Sequence, residues 1–500
     1  MTQSAQTTFR NFAKIPVVAP TLGVLTVVTL GAFCLRAIGL DSQLWYDEIY
    51  SLVVTTRPPL GEILTTYYGD IQHPLNSVLG NLAIRLLGEA PWTVRLPAFL
   101  FGTASIPLIF QVGRDLGTPR EGLLAALFLA VSYHHIWFSQ NARAYTAILF
   151  WTLFCTVLLY RSMSASSWPT LLGYSLGAAL GAYTHPTFVF VVIGQAIAIV
   201  LSALSFLPAT RDERVRIAKP LGAVALAGLL TLIFYAPIIG QVRQYYQQSS
   251  GKMRAVSTPS WALFEMIRGL QIGLGSLFVL AVAGLMLGCG LWGYWKRDRR
   301  AFFLLFCPMA VASLGMIAMR GSMYPRYLFM LFGFVILIIV RGAMVVGDFA
   351  ANIGARKRDP AMGRLIGTLC MGLVIAASAA TLGRVYRLPK QDFLGPLRFV
   401  ESQRSPAEPV FTAGAAAWPY EHYYLRDWPK VKSVEKLRSI ASQAGRVWLI
   451  YTFPRYIEDE TPGLMDVIER DFETVRVFPG TLSNGEVYVC VKVSNQTPSL

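Results

Sequence analysis

Two adjacent acids, Asp47 and Glu48, stand in the run LWYDEIYS (44–51), flanked by Trp45, Tyr46 and Tyr50. Carboxylates packed among aromatic rings lose solvent, which raises the pKa of one of them towards the range where it accepts a proton at neutral pH. The pattern suits a general base, and equally the aromatic belt that lines a membrane–water interface. His73 in DIQHPL, His134 and His135 in SYHHIWFSQNARAY, and His185 in AYTHP are four of the five histidines. None belongs to an i,i+4 His pair or an HExxH run, so hydrogen bonding is expected of them ahead of metal ligation. Arg143 with Tyr145, and Arg326 with Tyr324, are placed either to clamp a phosphate with paired N–H donors or to snorkel to lipid headgroups. The six cysteines are scattered and form no CxxC pair, which speaks against a disulfide or zinc role.

The elements that must hold these residues are apolar. Of 500 residues, 54% are hydrophobic and 14% charged, against about 25% charged in a soluble chain. Runs of bilayer-spanning length recur at 15–40, 96–113, 121–138, 144–160, 169–185, 187–208, 219–240, 269–295, 301–319, 325–347 and 364–385. The first is longer than the apolar core of a signal peptide and reads as an uncleaved anchor. Bulky Phe33 before Cys34 argues against a lipoprotein site. The loops on one side of these spans hold 17 Lys/Arg and those on the other hold 10. By the positive-inside rule the N-terminus is cytoplasmic and, with eleven spans, the tail is outside. The net charge of +16 therefore reports topology: residues 386–500 carry 14 basic and 14 acidic groups, and nucleic acid drops out as a partner.

Under this topology His73, His134, His135, His185, Arg143 and Arg326 all fall at outer helix ends. The outer loops hold seven carboxylates apart from the tail, and Asp47-Glu48 is the one adjacent pair among them. The first outer loop, 41–95, contains two stretches of helical apolar spacing, 59–67 and 74–87, suited to the membrane interface. A second long outer loop is expected at 241–268. From 386 on, β-rich runs at 409–413, 446–453, 474–478 and 486–493 alternate with helix-compatible stretches at 417–425 and 462–472. The expected architecture is an α-helical polytopic membrane domain, 1–385, with about eleven transmembrane helices, followed by a small extracytoplasmic α/β domain, 386–500.

The segments LWYDEIYS (44–51), QHPLNSVLGNLAIRLLG (72–88), WTVRLPAFLFG (92–102), HHIWFSQNARAYTAILF (134–150), YTHP (183–186) and YPRYLFMLFG (324–333) together resemble the GT-C superfamily. The likeness is to the bacterial branch related to protein O-mannosyltransferases, the lipid A aminoarabinose transferase and lipopolysaccharide-core transferases. It runs over most of residues 40–335. It implies an inverting glycosyltransferase that moves a sugar from a polyprenyl-phosphate donor to a hydroxyl of a lipid, glycan or protein acceptor at the outer face of the cytoplasmic membrane. By the same resemblance Asp47 is the base, Glu48 orients the acceptor or tunes its neighbour, and Arg143 and Arg326 neutralise the lipid phosphate. His73, Tyr145 and His185 are further site candidates. No cofactor is expected, and no metal, because nothing here resembles the metal-binding motifs of oligosaccharyltransferases. The chain departs from many relatives at Gln72-His73-Pro74-Leu75, where they have His-Pro-Pro-Leu, and at Asn141, where they carry Glu. Any role of that second acid is not carried over.

A lipid-linked-sugar flippase or polysaccharide polymerase is the rival reading. Transporters of this size favour internal repeats and midplane acids. Here the ionisable groups within the spans are Arg36, Arg341 and Arg384, near span ends. A structural anchor presenting the tail would leave the outer-loop motifs unexplained.

Overall fold

The computed structural model describes residues 19–205, 211–249, 259–318, 324–353, 359–442, 445–482 and 484–492, with backbone alone for 211–218, 249 and 259. Of the residues behind the expected orientation, Arg10, Lys14, Lys252, Arg254, Arg320, Arg356, Lys357 and Arg358 lie outside them. The chain forms two compact units, one of residues 1–40, 60–87 and 95–382, the other of 41–59, 88–94 and 383–500.

The larger unit is helical, and this is a multi-pass membrane protein. Among the described residues seven helices are long and apolar enough to cross a membrane: Ala19–Ala37, Pro91–Leu116, Tyr145–Ser164, Leu277–Arg297, Arg299–Ala318 and two that begin at Pro325 and Pro360. Two further spans arise only when bent pairs are counted as one, Pro119–Ala130 with Tyr133–Ser139 at 62° and Lys219–Tyr235 with Ile239–Gln248 at 85°. Trp168–Thr184 and Phe188–Leu204 have 17 residues each. Several starts are written locally, by an N-cap oxygen followed by proline: Thr118-Pro119 and Asp359-Pro360 cap the N–H groups of Glu121, and of Ala361 and Met362. Helices meet where side chains are smallest. A Cβ on Gly290 would strike the Ile338 carbonyl, and one on Gly342 the Met286 carbonyl, so Leu277–Arg297 and Phe332–Asn352 touch backbone to backbone.

The structure corrects two sequence expectations. The expected span 269–295 is broken: one helix ends at Leu274, Gly275 turns at φ +80°, and Ser276 caps a new helix at Val279. The expected loop 241–268 is helical where it is described, as Ile239–Ser249 and Pro259–Leu274. The expected last span, 364–385, lies within the apolar span Pro360–Arg387, whose helix turns briefly at Thr381 before Gly383–Arg387, the short stretch of helix that carries Arg384.

Two arginines within the spans are fixed by partners. Arg341 donates to Glu121 at 3.1 Å, a carboxylate that Arg297 also approaches at 3.6 Å. Arg36 is fully buried. It donates to the carbonyls of Ala32, Ala130 and Leu129, to Ser139 Oγ and to His135 Nδ1. Leu129 and Ala130 end the first half of the bent pair, so the guanidinium satisfies carbonyls that the bend frees and ties them to the second half. Gln140 donates in turn to the carbonyls of Arg36 and Ile38. Arg36→Ala strands these acceptors in an apolar interior. The expected result is a loss of about 3 kcal/mol or more, read as a lower thermal midpoint in detergent, with Arg36→Lys recovering only part of it.

The smaller unit carries a five-stranded sheet, β1 (Val410–Gly414), β2 (Lys430–Val431), β3 (Val447–Thr452), β4 (Glu473–Phe478) and β5 (Val487–Lys492), in the order β2-β1-β3-β5-β4. β1 runs parallel to β2 and β3, while β5 is antiparallel to β3 and β4. Every residue of β3 is buried, as a central strand covered on both faces must be. Helices Val434–Ala441 and Leu464–Asp471 pack Leu437, Ile440, Leu464 and Ile468 with Leu449 and Tyr451. The four β-rich runs of the sequence are thus strands; β2, two residues long, is too short to have been seen there.

Candidate functional site

In the smaller unit the run LWYDEIYS is no open loop. Tyr46–Tyr50 is a helix that continues as a π-helical turn, Ser51–Thr56. Glu48, completely buried, accepts the Trp45 N–H at 3.3 Å and so closes the first turn of this helix. Asp47 is half-buried. Two glutamines tie the segment down. Gln43 donates to Asp392 at 2.8 Å and accepts the Leu394 N–H at 3.0 Å. Gln391 accepts the Tyr46 N–H and donates to Thr452 Oγ1 at the end of β3. The Tyr50 ring lies 4.7 Å from that of Trp418, and Tyr46 meets Phe453 edge-on at 6.5 Å. Burial, with Tyr456 and Asp47 adding to it, pushes the Tyr46 hydroxyl far above its usual range, so it stays protonated.

In the larger unit, Arg143, Arg326, His73, Tyr145 and His185 converge, although they come from four stretches of chain. The His73 ring stands 5.0 Å from His185 and 5.6 Å from Tyr145, both edge-on, and His185 lies 5.5 Å from Tyr327. Arg143 and Arg326 act electrostatically on both histidines. Pro74 opens the helix Pro74–Leu87 at the position where its missing N–H costs nothing, which leaves His73 at the helix entrance. Gln72 closes the preceding loop on itself, accepting from the Tyr68 N–H at 3.0 Å and donating to the Thr66 carbonyl at 3.2 Å. Of the two residues that depart from the relatives' His-Pro-Pro-Leu, Gln72 thus has structural work here. Segment 142–144 docks on this entrance: Arg143 Nη1 donates to the Ile71 carbonyl, Ala144 N–H to His73 Nδ1, and Asn76 to the Ala142 carbonyl. Arg326 sits on a 3-10 turn, Pro325–Leu331, with its guanidinium 4.4 Å from the Tyr324 ring centre and 5.8 Å from that of Tyr327. Phe329 on the same turn packs on Phe138 at 4.5 Å, and Phe138 on Tyr145 at 4.9 Å.

His73 is buried, and desolvation first, then the charge of Arg143, coupling to the His185 ring and the charge of Arg326, hold it well below the ordinary histidine range. It is a neutral ring. His134 and His135 do not join the cluster: His134 pairs with the Gly269 carbonyl at 2.7 Å, and His135 accepts from Arg36. Among the described residues no group of three His, Cys, Asp or Glu could hold a metal ion. Sequence reasoning missed Tyr327 and Thr187, which pairs with His185 Nδ1 at 2.7 Å. Tyr327 closes the motif YPRY and Thr187 directly follows YTHP, the one signal that pointed to them.

Residues 72–240, about a third of the chain, match the family model described as dolichyl-phosphate-mannose-protein mannosyltransferase. Among curated proteins none matches the sequence. Solved structures similar in fold include ArnT from Cupriavidus metallidurans in the apo state, at 10% identity and TM-score 0.53 over 95% of this chain and 99% of that one. The same protein bound to undecaprenyl phosphate matches at 10% identity and TM-score 0.53, over 96% and 99%. The oligosaccharyltransferase AglB from Archaeoglobus fulgidus, in complex with an inhibitory peptide and a dolichol-phosphate, matches at 12% identity and TM-score 0.54, over 94% of this chain and 74% of its own. The fold is that of the GT-C membrane glycosyltransferases. Within that class the likeness runs to the O-mannosyltransferases and ArnT, as the sequence motifs imply.

Proposed function

We propose that this protein is an inverting glycosyltransferase that takes its sugar from a polyprenyl-phosphate donor. The convergence of Arg143 and Arg326 on the neutral donors of His73, Tyr145 and His185 carries the reading. Two guanidiniums beside buried hydrogen-bond donors suit a phosphate that gains charge as its bond to the sugar breaks. The undecaprenyl phosphate and dolichol-phosphate of the ArnT and AglB structures support a lipid phosphate as the ligand. Asp47 is the base for the acceptor hydroxyl, and Glu48 fixes the helix that presents it. The lysine and arginine distribution supports a cytoplasmic N-terminus and a reaction at the outer face of the cytoplasmic membrane. The acceptor is a hydroxyl of a lipid, glycan or protein.

The test is a transfer assay with purified protein and a set of polyprenyl-phosphate sugars, joined to mass spectrometry of envelope glycolipids and glycoproteins from cells with and without the gene. A sugar-sized mass difference that the purified protein reproduces is the expected result. Movement of the lipid-linked sugar across vesicles with no transfer would reverse the reading in favour of a flippase.

A further inference from the structure

The tautomer of His73 is set by its surroundings. Nδ1 accepts the Ala144 N–H at 3.0 Å, so in a neutral ring the proton sits on Nε2. That Nε2 is buried and has no hydrogen-bond partner, and the same holds for the hydroxyl of Tyr145, whose ring stands 5.6 Å away. The neighbouring His185 engages Thr187 through Nδ1, accepting its N–H at 3.2 Å with the Thr187 hydroxyl 2.7 Å away. Unsatisfied buried donors cost about 1–3 kcal/mol each, and a native site that keeps two of them side by side is built for an acceptor. The charged and titratable groups facing His73 are Arg143, His185 and Arg326, with Tyr145 at its edge and Tyr327 beyond His185.

We infer that His73, through Nε2–H, and Tyr145, through its hydroxyl, are uncharged hydrogen-bond donors to the non-bridging oxygens of the donor's phosphate, and that His73 gives the leaving phosphate no proton. This rests on the lipid-phosphate reading above. In the transfer step the acceptor oxygen forms its bond to the anomeric carbon and its proton passes to the Asp47 carboxylate. The bond from the anomeric carbon to the phosphate oxygen breaks, and its electron pair stays on that oxygen. The lipid phosphate leaves with the added negative charge, stabilised by the two arginines and by two hydrogen bonds that shorten as the charge grows. A neutral imidazole suits this better than an imidazolium, because Arg143 and Arg326 already supply the positive charge and penalise a third.

The experiment replaces His73 with glutamine, whose amide donates without titrating, and with phenylalanine, which fills the space without donating. Binding of a short polyprenyl phosphate is measured by calorimetry in detergent, and transfer rates are measured across about pH 6 to 8, the window in which an ordinary histidine titrates. His73→Gln is expected to stay within about fivefold of wild type in both and to leave the pH profile unchanged. His73→Phe and Tyr145→Phe are expected each to weaken phosphate binding about tenfold, with unchanged thermal midpoints. Equal losses in His73→Gln and His73→Phe, or a pH limb that His73→Gln abolishes, would make His73 a proton donor and overturn the inference. If wild type bound no polyprenyl phosphate at all, the functional reading would fall, and not only this refinement of it.

Discussion

Replacing Arg143 with alanine is expected to lower kcat/KM for the polyprenyl-phosphate donor by about 10²- to 10³-fold, the usual loss when one preorganised donor to a developing anion is removed. The KM for the acceptor is expected to move by less than about threefold. The asymmetry follows from the position of Arg143. One guanidinium nitrogen is spent on the Ile71 carbonyl at 2.9 Å, which fixes the side chain on the loop that carries His73. Its field reaches His73 and His185 together with that of Arg326. A snorkelling arginine would instead lie exposed, whereas Arg143 is buried. Arg143→Lys keeps the charge but loses the planar fork, so its activity is expected between those of wild type and Arg143→Ala. Steady-state kinetics with donor and acceptor varied separately, beside a thermal midpoint for each variant, checks the claim. Equal losses on both substrates with a lowered midpoint would mean that Arg143 serves the fold alone.

The sequence made the spans legible because lipid forces every backbone polar group into a helix, so long apolar runs have a single solution. The breaks inside them were not legible. Hydropathy averaged over twenty residues sees 121–138 and 269–295 as continuous. The chain nevertheless turns at Val131 and Gly275, where Ser132 and Ser276 supply caps as short as one hydroxyl. Arg36 illustrates a second limit. In sequence it is one ionisable group near a span end, yet four of its five acceptors lie 93 to 103 residues away, and only the packed helices bring them together.

The site divides in the same way. The motifs named His73, Arg143, Tyr145, His185 and Arg326 as candidates, and the fold brings these five together. What spacing could not give was protonation: the N–H that fixes the His73 tautomer belongs to Ala144, 71 residues on. LWYDEIYS shows the opposite failure. Its aromatics read as a loop at an interface, whereas Gln391 from the tail, and Gln43 through Asp392 and Leu394, hold it as a helix, and Glu48 is absorbed in capping that helix. The two acids that looked equivalent in sequence are therefore unlike: one is completely buried and bonded to the backbone, the other half-buried.

That difference makes Asp47→Asn the second decisive variant. Asparagine matches the carboxylate in size and still accepts hydrogen bonds through its carbonyl, but it cannot take a proton from an acceptor hydroxyl. Loss of a general base costs about 10²- to 10⁴-fold, and kcat is expected to fall by that amount. Binding of polyprenyl phosphate should be unchanged, because the groups assigned to the phosphate are Arg143, Arg326, His73 and Tyr145. Glu48→Gln is expected to behave differently. The amide oxygen can still accept the Trp45 N–H, now without the carboxylate's charge, so the thermal midpoint drops by a few degrees and kcat moderately. If Asp47→Asn turned over at near-normal rate in a well-folded protein, Asp47 would not be the base. If Glu48→Gln alone abolished turnover at an unchanged midpoint, the role would pass to Glu48.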